Sequence, residues 1–86
     1  MAFEVETRII TAQEKADGHL TLEYTPLVSD VVSVDPEGGP AQEYNRDYYV
    51  DGTTLYWDDP SIPDSDIKSV LDEGYAVTLR IMYERA

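Results

Sequence analysis

The chain has 86 residues, 42% of them hydrophobic, no cysteine, and 18 acidic against 6 basic side chains, for a net charge of −12. That length supports one domain, residues 1–86, and the absent cysteines remove disulfides and thiolate metal sites. The acidity excludes a basic footprint for nucleic-acid phosphates or an anionic membrane, and leaves a basic partner, mimicry of nucleic acid, or a well-solvated surface.

The opening "MAFEVETRII" has no basic, apolar leader, and no stretch reaches the roughly 20 apolar residues of a membrane span. A whole small gene product, soluble where it is made, is the expectation. "FEVETRII" alternates, with Phe3, Val5, Thr7 and Ile9 on one face and Glu4, Glu6 and Arg8 on the other. This predicts a half-buried strand with the apolar set inward. In "TAQEKADG", Thr11 and Glu14 have capping-box spacing, and Gly18 is placed to stop one or two helical turns. "HLTLEYTP" alternates again, with Leu20, Leu22 and Tyr24 together, and "DVVSVDP" predicts a strand with Val32 and Val34 inward before the turn "EGGP".

"DYYVDGTTLYW" holds three of the seven tyrosines and the only tryptophan around one Asp-Gly pair. Asp-Gly between β-rich runs predicts a hairpin with a two-residue loop in which both residues take positive φ. With Asp51 and Gly52 as the loop, Val50 pairs with Thr53, Tyr49 with Thr54 and Tyr48 with Leu55. Tyr48, Val50, Thr53, Leu55 and Trp57 then form the core face. Asp47, Tyr49, Asp51, Thr54 and Tyr56 form the outer one, with Tyr49 and Tyr56 as diagonal neighbours. Tyrosines there either stabilise the sheet or meet a partner. Tyr49, Tyr56, Asp47 and Asp51 are therefore the candidate interaction surface.

"DDPSIPDSD" is a loop with two prolines. "SDIKSVLDEGY" predicts a short helix with Ile67, Val70 and Leu71 inward, Ser65 or Asp66 as cap and Gly74 as stop. "YAVTLRIMY" predicts a last strand with Tyr75, Val77, Leu79, Ile81 and Tyr83 on one face. About six short strands and one or two helical turns predict an all-β domain, a small antiparallel sandwich of immunoglobulin-like kind; a small barrel is the alternative.

No catalytic constellation emerges, so no enzyme is expected. His19 is the only histidine, and none of the serines has the context of an activated nucleophile. One histidine without cysteine does not make a zinc site. Asp58, Asp59, Asp64 and Asp66 crowd one loop, but their spacing is not that of an EF-hand and the prolines stiffen it, so neither calcium nor another cofactor is expected.

The order "LTLEYTP", "GGPAQ", "DYYVDGTTLYW", then a short helical "IKSVLDEG" and a closing strand through Tyr83 resembles small β-sandwich modules in structural proteins of tailed bacteriophages and prophages, tail-fibre and tail-associated proteins above all. The shared pattern has the form "lTLxYTP", "GGPxQ", "DYxVxGxxLxW" and a final "xLxVxY", and covers most of the chain. It departs at "DEGYAV", where Tyr75 replaces the acid that follows the glycine in the family. The resemblance implies a non-enzymatic virion building block or adhesin-type module. Such a protein is made in the host cytoplasm, ends in the particle, and contacts other virion proteins or copies of itself as a homo-oligomer. The alternatives are a stand-alone module binding carbohydrate or a host surface through Tyr49 and Tyr56, and an acidic inhibitor of a nucleic-acid-binding protein.

Overall fold

A computed structural model describes residues 2–37, 42–74 and 78–86. The elements run β1 (Ala2–Ile9), α1 (Ala12–Asp17), β2 (His19–Thr21), a 3-10 turn (Ser29–Val31), β3 (Ser33–Pro36), β4 (Tyr49–Asp51), β5 (Thr54–Tyr56), α2 (Asp66–Asp72) and β6 (Thr78–Arg85). They form two three-stranded antiparallel sheets, ordered β1-β6-β3 and β2-β5-β4. This is the predicted all-β, sandwich-like class. The first and last strands pair along eight residues, from Ala2 opposite Arg85 to Ile9 opposite Thr78.

One buried cluster draws on both sheets and α2. Val34, Leu79, Ile81 and Tyr83 come from the first sheet, Leu20, Val50 and Leu55 from the second, and Ile67 and Leu71 from the helix, with Trp57 also within the cluster. The inward residues of β6 and β3 are those the alternation predicts. Tyr75 and Val77, and most of the "EGGP" turn, lie outside the described residues.

The local signals for α1 hold in full. Thr11 Oγ1 accepts from Glu14 N at 3.1 Å, and Glu14 Oε1 accepts from Thr11 N at 3.0 Å. Gly18 follows the helix at φ +77, its N–H bonded to the Glu14 carbonyl. Ser65 caps α2 by accepting from Lys68 N.

Two expectations about register are corrected. In β1 the apolar face points outward: Phe3 is 66% exposed, Val5 50% and Ile9 72%, while Glu6 is buried. The strand is rotated by one residue because the buried Glu6 carboxylate finds three donors there. It accepts from the Tyr83 hydroxyl, from Glu23 N at 3.1 Å and from Arg8 at 2.8 Å. In the hairpin, Asp51 pairs with Thr54, Val50 with Leu55 and Tyr49 with Tyr56. Gly52 and Thr53 form the loop. Gly52 alone takes positive φ, at +61, which is what a turn with glycine in its first central position needs. The slip moves both strands equally, so Tyr48, Val50, Leu55 and Trp57 still face the core, and only Thr53 leaves that face.

Candidate interaction surface

The second sheet carries an aromatic row. Tyr49 lies opposite Tyr56, and Tyr56 opposite His19, so one residue from each strand lines up across the sheet. The tyrosine rings stack with centroids 4.8 Å apart and planes 15° apart, and His19 tilts against Tyr56 at 5.4 Å. Tyr49 and Tyr56 are thus direct neighbours, not diagonal ones. All three side chains are half-buried.

Asp59 closes one end of the row. It accepts from the Tyr49 hydroxyl at 3.0 Å, and its other oxygen accepts from Ser61 N and Oγ at 2.9 and 2.8 Å. The Ser61 bonds hold its carboxyl below the usual range. Partial burial first, and the bond to Asp59 second, hold the Tyr49 phenol above its ordinary value. The two tyrosine rings turn a face on each other, whereas a sugar platform needs faces open to solvent. Stacking of this kind stabilises a sheet across its strands.

Of the two acids expected beside the tyrosines, only Asp51 is exposed. Asp47 is 1% exposed and does not belong to that surface. Its carboxylate accepts from Glu43 N at 2.7 Å and from Asp66 N at 3.0 Å, and its carbonyl accepts from the Ser65 hydroxyl. It ties the 43–47 turn to the first residue of α2. The strand alternation misses this because Asp47 precedes β4, in a turn, and its second partner is 19 residues away.

The first sheet carries on its outer face the apolar residues that alternation predicts for the core. Its outer face runs in rows: Phe3 beside Glu84, Val5 beside Met82 and then Ser33, Thr7 beside Arg80 and then Asp35, Ile9 beside Thr78. Leu27 adds to the Phe3 row, since its N–H bonds the Glu84 carbonyl at 2.7 Å. Phe3, Val5, Ile9 and Leu27 are all exposed large apolar residues. A groove opens over this face between Val5 and Thr7 on one side and Asp35 and Glu37 on the other. β1 is also an edge strand, and a second groove follows residues 5–8 along it, walled by Thr21 and Glu23.

The acidic loop does not converge. Asp58 and Asp64 are exposed, Asp59 serves Ser61 and Tyr49, and Asp66 sits 3.5 Å from Arg46. Among the described residues no three His, Cys, Asp or Glu side chains gather where they could hold a metal ion. Ser65 and Ser61 are engaged in the cap and in the Asp59 turn. No protein-family model, curated protein or solved structure matches this chain, so the functional reading rests on these surfaces and on the sequence.

Proposed function

We propose that this chain is a non-enzymatic structural component of a tailed-phage or prophage particle, acting through protein–protein contacts. The observation that carries the reading is the outward apolar face of β1. A strand that turns Phe3, Val5 and Ile9 to solvent while burying Glu6 has its apolar side free for another surface. The ordered motifs from "LTLEYTP" to the last strand support the virion as the setting. The buried polar residues Glu6, Asp47 and Ser65 each make structural hydrogen bonds, which fits a building block.

The test is direct. Particles purified by density gradient from an induced host are probed with antibody against this chain, and a strain lacking its gene is imaged. The chain should be present in purified particles at fixed copy number, and the deletion should yield incomplete ones. Its absence from particles, with normal particles from the deletion strain, would remove the reading.

A further inference from the structure

We propose that two copies of this chain pair antiparallel along β1, joining their first sheets into one six-stranded sheet about a two-fold axis through Glu6. The inference rests on the contact role proposed above and names the partner as a second copy. Three observations carry it.

The first is the open edge. β1 is eight residues long, lies at the margin of its sheet, and has no backbone hydrogen bond outside its pairing with β6 among the described residues. A long free edge is a template for another strand. A groove flanks this strand along residues 5–8, with Thr21 and Glu23 as its other wall.

The second is self-complementarity. In a two-fold antiparallel pair, directly opposed residues must share a face. Centring the axis on Glu6 sets Phe3 opposite Ile9 of the second copy, Val5 opposite Thr7, and Glu4 opposite Arg8, each twice. The two most exposed apolar side chains of the strand thus cover one another, and opposite charges meet. The two Glu6 carboxylates, opposed at the centre, are each already matched by their own Arg8 and Tyr83.

The third is where the charge lies. β1 and β6 carry Glu4, Glu6 and Glu84 against Arg8, Arg80 and Arg85, so the net charge of −12 resides entirely elsewhere in the chain. A strongly acidic molecule approaches its own kind most easily where its charge is lowest, and the pairing strand β1 carries only two acids against one base. The remaining repulsion is long-range and screened by salt. Self-pairing should therefore tighten as salt rises, whereas docking of a basic partner should weaken.

The experiment is sedimentation of the whole chain at 50 and 500 mM NaCl, with circular dichroism as the fold control. A dimer that tightens with salt is expected. Ile9→Lys, which sets a lysine opposite Phe3, and Glu4→Arg, which sets an arginine opposite Arg8, should each weaken it tenfold or more without loss of fold. Register is read separately, because the chain has no cysteine of its own. Chains carrying Val5→Cys mixed with chains carrying Thr7→Cys should form an oxidised heterodimer, and neither alone should do so to a like extent. A folded monomer at both salts, or a dimer indifferent to both surface substitutions, overturns the proposal; so does capture of a basic partner, but not of a second copy, by this strand. A dimer with no chain in purified particles removes the virion reading and leaves the pairing. A monomer found in particles does the reverse.

Discussion

The hydroxyl of Tyr83 donates to the carboxylate of Glu6, joining the inner faces of the last and first strands across 77 positions of chain. Tyr83 also accepts from Tyr24 N at 3.2 Å, and Arg8 spans Glu6, Glu14 and the Thr21 carbonyl. This polar cluster decides which way β1 faces. A buried carboxylate with three donors is tolerated where an unpaired one would not be.

The same contact predicts alkaline lability. Burial first, then the Glu6 carboxylate, raises the Tyr83 phenol above 10.0, and burial beside Asp35 pushes Tyr48 up to about 12. The folded state thus holds both phenolic protons more tightly than the unfolded chain. That stabilisation is complete below pH 10 and is lost as pH rises through and beyond it. For Tyr48 the rise corresponds to roughly 3 kcal/mol. Urea midpoints should hold up to about pH 10 and fall steeply above it. Tyr83→Phe should be less stable at pH 8, because Tyr24 N loses its acceptor, yet decline less steeply above pH 10. An unaltered alkaline slope would show that Tyr83 ionisation does not limit the fold.

Local signals were legible where the deciding contacts are local. Thr11, Glu14 and Gly18 bound α1 through partners within four residues, and β6 alternates as predicted because Leu79, Ile81 and Tyr83 are all buried on one face. β1 misled because its alternation is genuine and its orientation is not local. The partners of Glu6 lie at positions 8, 23 and 83, and no periodicity in residues 3–10 reports them. The hairpin fell between these cases. Its faces follow from strand parity, whereas its loop depends on whether Asp51 or Thr53 joins Gly52, and Asp51 remains in the ladder opposite Thr54. The candidate surface inherited both outcomes: Tyr49 and Tyr56 share a face as expected, Asp47 sits inside, and the apolar face of β1 was assigned to the core.

Asp47→Ala should act on stability. It removes the acceptor from Glu43 N and Asp66 N and loosens the joint between the 43–47 turn and α2. Leaving these donors without their charged partner should cost about 2–4 kcal/mol. Chemical denaturation measures it, and β1-mediated association of the folded variant should be unchanged. A loss under 0.5 kcal/mol (~0.5, the range of ordinary surface changes) would contradict a structural role.

Gly18 and Gly52 separate two causes of glycine preference. Both have positive φ, +77 and +61, but a Cβ on Gly18 would run into the Asp58 Cβ, while one on Gly52 would meet nothing within 4 Å. The Gly18 carbonyl also accepts from Trp57 N and Asp58 N, so the loop after β5 cannot easily retreat. Gly52→Ala should cost about 1–2 kcal/mol, the strain of a left-handed residue alone. Gly18→Ala adds the clash and should cost about 2–4 kcal/mol. Equal denaturation midpoints for the two variants would mean that Asp58 moves aside freely.

Tyr49 and Tyr56 bear on whether the aromatic row is a contact surface or part of the sheet's own stability. Their rings stack at 4.8 Å across β4 and β5, and Tyr49 is further tied to Asp59. An aromatic pair in this geometry couples by about 0.5–1.5 kcal/mol beyond the area it buries. Tyr49→Ser and Tyr56→Ser, made singly and together, should therefore show a coupling energy of that size in a double-mutant cycle on unfolding free energy. All three variants should still fold, because the core face of the hairpin is untouched. Their self-association through β1 should match the wild type, since the row lies on the other sheet. Additive losses would deny the stacking an energetic role. Normal stability with association lost would make the row the contact surface, and would move the functional interface from the first sheet to the second.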